Sequence, residues 1–212
     1  LRRKRSVCRL FFAKTGRAIY ISHLDLYRVF QRAVKRCKLP VWETQGFNPH
    51  IYITFALPLA LGTEGICESL DTKLTEEISF DEICERLNSA LPRDIRVLSA
   101  AEPVYKNTDI EKSEYEIRIS ADWDKLSEFF AQEKIITEKK TKKGISEIDL
   151  KPMIEIAEMN EGFIRMRLPS GTQTNINANL VFEAFEKQFG IEIDTLNIKR
   201  TAVYCQNGEI FR

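Results

Sequence analysis

The chain has 212 residues, 43% hydrophobic and 30% charged, with a formal net charge of +1. That is enough apolar material to bury a core in one large domain or two small ones, so the chain is expected to fold. No run of about 18 apolar residues occurs, and the basic start lacks the apolar stretch of a signal peptide; a membrane span and a leader are therefore not expected, and a cytoplasmic address is.

In chain order, a strand is predicted over residues 7–13, followed by a turn at Lys14-Thr15-Gly16-Arg17, where Gly16 permits an awkward backbone angle. Ser22-His23-Leu24-Asp25 has the Ser-x-x-acid spacing of a capping box, so a helix should run from Ser22 to about residue 38. Its apolar positions Leu26, Val29, Phe30, Ala33 and Cys37 recur at three- and four-residue steps, which puts Arg28, Arg32, Lys35 and Arg36 on the opposite, cationic face. Strands follow near residues 51–56 and 66–74. A second capping box, Ser79-Phe80-Asp81-Glu82, opens a helix to about residue 91, and a strand over 95–101 completes the order β-α-β-β-α-β.

Residues 103–113 read as a linker. Beyond it, a strand at 115–120, a helix at 122–132, strands across 148–157 and 163–168, a helix at 178–189 and a strand at 196–204 repeat the same order. Residues 133–147, carrying Lys139, Lys140, Lys142 and Lys143, read as an exposed hairpin tip or loop. The expected fold is α+β, two tandem ferredoxin-like (split βαβ) units with antiparallel sheets over residues 1–102 and 114–205. Residues 206–212 are a tail expected to fray.

Charge is unevenly placed along the chain. Residues 1–50 hold 12 Lys or Arg and two acids, a net +10, and the remaining 162 residues hold 20 bases and 29 acids, a net −9. A cationic N-terminal region suits a phosphate backbone or an acidic protein surface, and a solvated helix face accounts for it equally well. The five cysteines are scattered, without a C-x-x-C pair or a His at ligand spacing, so they are expected to be reduced and to hold neither a metal nor an iron–sulfur cluster. The glycines show neither a Walker spacing nor G-x-G-x-x-G.

The main candidate site is the loop Gln45-Gly46-Phe47-Asn48-Pro49-His50. Gly46 and Pro49 restrict the backbone there, and Gln45, Asn48 and His50 offer donors and acceptors. Phe47 either stacks on a base or plugs the core. His23 lies in the first turn of the capped helix beside Asp25 and Arg28, and with Lys14, Arg17 and Ser22 it is expected to form an anion pocket. A helix N-terminus disfavours the imidazolium. Farther on, Ser170-Gly171-Thr172 through Asn175 and Asn177 form a polar helix start, for which ordinary capping is a sufficient reason.

Several blocks resemble the radical-SAM-linked protein family, a bacterial family of unknown biochemical role whose members occur fused to, or encoded beside, a radical SAM protein. They are KTGRAIYISHLDLYRVFQRA, LPVWETQGFNPH and FALPLALGTEG, followed by the looser IDLKPMI, SGTQTNINANLVFEAF and IKRTAVY. Where the family carries Arg-Pro pairs, this chain has Lys151-Pro152 and Asn177-Ala178. The later blocks add Lys151, Asn175, Asn177, Lys199 and Arg200 as second-unit candidates. The resemblance implies a radical SAM partner that holds the iron–sulfur cluster and S-adenosylmethionine, with no cofactor in this chain.

The leading expectation is an accessory protein that binds ribosomal or transfer RNA and presents it to that partner for modification. One alternative, by fold-level analogy with CRISPR repeat-processing nucleases, is a metal-free endoribonuclease-like enzyme using His23 or His50, with Lys14 or Arg17 stabilising charge. Another is a protein-interaction subunit whose acidic stretch, residues 64–133 with 18 acids and 8 bases, docks a basic partner.

Overall fold

The computed structural model describes residues 6–141, 144–172 and 174–212. The basic start at residues 1–5 and Lys142 and Lys143 of the expected hairpin tip lie outside the described residues. The chain is α+β and divides into two units, one comprising Leu1–Asn107 with Phe211–Arg212 and the other Thr108–Ile210. No helix among the described residues is long and apolar enough to cross a membrane.

Unit 1 runs β1 (Ser6–Lys14), α1 (His23–Arg36), β2 (Ile53–Phe55), β3 (Glu64–Leu74), α2 (Phe80–Ala90) and β4 (Ile95–Ala101). Its strands pair antiparallel in the order β4-β1-β3, and β2 pairs with β3. Alternation along β1 sends Cys8, Leu10 and Phe12 to one face, where they meet Leu26, Phe30, Ala33 and Val34 of α1 and Ile83 and Leu87 of α2 in one core. Phe12 and Phe30 meet edge-on with ring centroids 4.9 Å apart.

Both serine caps form. Ser22 Oγ accepts the Asp25 N–H at 3.1 Å and Ser79 Oγ accepts the Glu82 N–H at 3.2 Å, so each helix starts one residue after its serine. The far ends of the two helices are closed by each other's arginines. Arg86 of α2 donates to the Cys37 and Lys38 carbonyls, and Arg36 of α1 donates to the Ala90 carbonyl at 3.0 Å. Part of the cationic face of α1 therefore serves structure.

Unit 2 runs β5 (Ile110–Ser120), α3 (Trp123–Ala131), β6 (Ile136–Thr141), β7 (Gly144–Asp149), β8 (Glu155–Asn160), β9 (Phe163–Pro169), α4 (Ala178–Phe189) and β10 (Thr195–Cys205). The strand order β10-β5-β9-β8 is antiparallel throughout, and β6 and β7 form a separate two-stranded sheet. Inward residues of β5 and β9 pack on Leu126, Phe129, Val181, Phe182 and Phe185 in a core that shares no residue with that of unit 1.

Of the two alternatives for residues 133–147 the structure has the hairpin: β6 and β7 pair from Ile136↔Asp149 to Thr141↔Gly144, and Lys187 of α4 holds Glu138 at 3.1 Å. Two expectations are corrected here. The linker is shorter than 103–113, because β5 already begins at buried Ile110. The tail does not fray. Phe211 is buried, and the N–H groups of Val104 and Tyr105 both donate to the Arg212 carbonyl at 3.0 Å.

All five cysteines are free thiols, with Cys8 and Cys205 buried and the other three half-buried. Burial, reinforced by the neighbouring Cys84 and Asp71, pushes the Cys8 thiol up to about 12, so it is an inert part of the core at neutral pH.

Candidate functional site

Unit 1 gathers ionisable groups where β1, β3 and the start of α1 meet. After β1 the chain coils through a 3-10 turn, Gly16–Tyr20, which Gly16 enters with φ +52° and where a Cβ would come within 2.9 Å of the Asp94 carboxylate carbon. This turn aims the Ile19 and Ile21 carbonyls back at Lys14, whose Nζ lies 3.4 and 3.3 Å from them. Lys14 is 1% exposed. Across the β1–β3 ladder its register partner is Gly65, and a Cβ at that position would collide with the carboxylate of Glu68, itself only 4% exposed. The missing side chain at Gly65 makes room for a buried acid.

His23 stands at the mouth of this cluster. Its ring packs edge-on against Phe55 at a centroid distance of 4.9 Å and makes no hydrogen bond among the described residues. Although the residue as a whole is exposed, partial burial of its ring against Phe55, and then the positive charge of Lys14, hold the imidazole below its ordinary range, while the charge of Glu68 opposes them. The direction agrees with that expected at a helix start, but burial and a lysine are its leading causes. A neutral imidazole above a buried lysine and a buried glutamate can accept or donate a hydrogen bond and can relay a proton. Thr63, nearby in sequence to Glu68, is also buried, with its hydroxyl unpartnered.

The expected anion pocket of Lys14, Arg17, Ser22 and His23 does not assemble. Lys14 is turned inward onto backbone carbonyls. Ser22 Oγ is used by Asp25, donating to Asp25 Oδ2 at 2.7 Å and accepting the Asp25 N–H. Arg17 is exposed, with its backbone N–H on Asp94 Oδ2 at 3.0 Å. Asp25 is paired with Arg28 at 3.1 Å, and the Ser22 hydroxyl and Arg28 hold its carboxyl below the usual range, so a carboxylate already occupies this helix start.

The 45–50 loop is a second feature. Its base is closed by the Thr44 N–H on the His50 carbonyl at 2.8 Å and the His50 N–H on Thr44 Oγ1 at 3.1 Å, with His50 Nδ1 2.9 Å from that hydroxyl and 3.2 Å from the Asn48 carbonyl. Above this base Gln45, Gly46, Phe47, Asn48 and Pro49 are exposed, and the Phe47 ring is fully so. Phe47 is no core plug. Trp42 and Tyr52 flank the base with Lys73 over both rings, and the Tyr27 hydroxyl of α1 donates to the Ile51 carbonyl at 3.4 Å.

The second-unit candidates do not form one site. Lys151 donates to the Phe130 carbonyl at the end of α3, at 2.5 Å. The Asn175 carbonyl receives Lys139 at 2.7 Å, and Asn177 caps α4 by accepting the Asn179 N–H. Lys199 and buried Arg200 are ladder residues of β10, opposite Glu116 and Tyr115. Among the described residues no group of three or more His, Cys, Asp or Glu is placed to hold a metal ion.

Glu68 was not anticipated from sequence, although a signal exists. Period-2 alternation along β3 puts Glu68 in phase with buried Leu70, Thr72 and Leu74, so an acid falls on the inward face.

Residues 8–178 match the model of a family described as "Uncharacterized protein conserved in bacteria (DUF2344)". The chain belongs to that family. In this member the matched span contains Lys14, His23, Glu68 and the whole 45–50 loop. No curated protein matches. Among solved structures the chain is similar to an unknown protein from Galdieria sulphuraria, at 16% identity over 92% of this chain and 99% of that one, with a TM-score of 0.30. It is also similar to a structure described as "putative glycine cleavage system transcriptional repressor", at 12% identity over 92% and 98%, with a TM-score of 0.27.

Proposed function

We propose that this chain is a cytoplasmic accessory module that binds unpaired RNA, ribosomal or transfer, and presents it to a radical SAM partner for modification. The observation that carries the RNA reading is the fully exposed Phe47 ring on a loop closed at its base by the Thr44–His50 bonds. A solvent-facing aromatic among amide and imidazole groups offers a stacking platform with hydrogen-bonding neighbours, the combination that reads splayed bases. The exposed Arg28, Arg32 and Lys35 of α1 supply phosphate contacts. The radical SAM partner rests on the sequence blocks quoted above, and the iron–sulfur cluster and S-adenosylmethionine belong to that partner. Each unit is read as ferredoxin-like, on the support of the strand orders β4-β1-β3 with β2 beside β3, and β10-β5-β9-β8.

A second reading is favoured by His23. Its neutral ring beside Lys14 and Glu68 is suited to acid–base work in metal-free RNA cleavage.

Binding to an unstructured oligoribonucleotide at low and moderate salt tests both readings. Phe47→Ala is expected to weaken binding by about 1–3 kcal/mol, roughly 5- to 150-fold. Replacing Arg28, Arg32 and Lys35 by Ala should flatten the slope of log affinity against log salt by about 2, the share of three phosphate contacts on a single strand. Wild-type binding untouched by either change sinks the RNA module, and cleavage that disappears in His23→Ala selects the enzyme.

A further inference from the structure

Unit 2 contains a cavity of about 350 Å³ built where β5, β9 and the segment after β9 come together. Gly171 makes it possible. Its φ is +135°, and a Cβ there would come within 2.5 Å of the Ile110 carbonyl, so only glycine lets the chain leave β9 flush against β5. The preceding Ser170 N–H donates to the Glu111 carbonyl at 2.7 Å, which satisfies its backbone. The Ser170 side chain is different. It lines the cavity, is 2% exposed, and its hydroxyl has no partner. A buried hydroxyl left unpaired is costly, and a ligand that pairs it recovers that cost.

The lining indicates the class of ligand. Glu111, Ser170, Thr172 and Gln206 offer a carboxylate, hydroxyls and an amide, while Ile110, Met153 and Pro169 supply apolar surface. The one lysine of the lining, Lys112, has its ammonium 3.0 Å from Glu155, and Glu155 also takes Arg167 at 3.1 Å. With its cation engaged and Glu111 at the rim, the cavity is poorly suited to a phosphate or carboxylate. It suits an uncharged molecule with a flat apolar face and several hydroxyls. Carboxylate, hydroxyl and amide groups match a ribose diol and a base edge, and the Met153 thioether suits a ring. The volume lies at the small end of the range for ligand cavities, in keeping with a single compact ligand.

We propose that this cavity is a nucleoside-binding site. Its residues all belong to unit 2, and it stands independently of the Phe47 loop. A free nucleoside and an unstacked nucleotide of RNA share this chemistry, and the experiment separates them.

The full chain would be titrated with adenosine, guanosine, cytidine and uridine while the Met153 methyl resonance is followed by NMR. At least one nucleoside is expected to shift it saturably, with affinity about tenfold weaker in Ser170→Ala. Ser170→Ala should melt no lower than wild type, since it removes an unpaired hydroxyl, and the exposed Gln206→Ala provides a second weakened variant if the first misfolds. Displacement of the bound nucleoside by an unstructured oligoribonucleotide assigns the site to RNA; persistence assigns it to free nucleosides. Phe47→Ala should leave nucleoside binding unchanged, so failure of the loop reading is told apart from failure of this one. No saturable shift with any nucleoside, or undiminished affinity in both cavity variants, overturns the proposal.

Discussion

At the scale of single residues, His23 shows how a site's character depends on what lies beneath it. Burial and the Lys14 charge lower the imidazole pKa from 6.5 against the opposing charge of Glu68, so the folded protein favours the neutral ring. Unfolded chains then bind more protons than folded ones between the lowered value and 6.5. His23 therefore contributes stability above pH 6.5 that is lost as the pH falls through that value toward the folded one. An NMR titration of the His23 ring is expected to give a midpoint below 6.5, and Lys14→Met should move it upward. A midpoint that stays in place in the variant would remove Lys14 as a cause. Lys14 itself illustrates the limit of reading by residue type, since in sequence a lysine in a Gly-containing turn resembles a phosphate contact. Only the returning carbonyls of Ile19 and Ile21 reveal an ammonium held inside.

Among elements, the helices are the most legible, because their starts are written in local chemistry. Ser22 and Ser79 each accept the N–H three residues on, and α4 spans the expected residues 178–189. Replacing Ser22 by Ala leaves that N–H unpaired and removes the anchor of Asp25, so a loss of about 1 kcal/mol is expected in urea unfolding. A loss near zero would mean that water replaces the cap. The β6–β7 hairpin was harder to read. Its first strand, ITEKKT, has one aliphatic residue, Ile136, and that side chain is exposed, so no alternation of apolar residues marks it. Its backbone ladder and the Lys187–Glu138 contact hold it, and neither leaves a pattern in hydrophobicity.

Over the whole molecule, the least legible feature is the buried Arg9. Its guanidinium grips Asp71 through two bonds of 2.7 and 2.9 Å, donates to the Tyr105 and Arg212 carbonyls and to Asn107 Oδ1, and lies 4.2 Å from the Phe211 ring centroid. Residues from both ends of the chain thus meet in unit 1, which is why residues 211 and 212 do not fray. Asp71→Ala would leave a buried cation without its counter-charge, and a loss of about 3–5 kcal/mol is expected. The double change Arg9→Met with Asp71→Leu should cost far less, because it removes the charge along with its partner. Equal losses in the two variants, measured by denaturant unfolding, would show that geometry rather than charge balance holds this end of the chain.

The sequence by itself determined the α+β class, four helices, the serine caps of the first two, and a polar loop at residues 45–50, because capping spacings and hydrophobic periods act over a few neighbouring residues. Tertiary structure alone decided which polar groups are buried. Arg9 becomes an interior group only when Asp71, Asn107 and the carbonyls of Tyr105 and Arg212 arrive to meet it, Lys14 when the turn after β1 folds the Ile19 and Ile21 carbonyls back onto it, and Glu68 where Gly65 leaves room beside the β1–β3 ladder, while Ser170 is left without a partner by the packing of its own unit. The burial of a charge is a property of the neighbours that surround it, and those neighbours are brought together by folding.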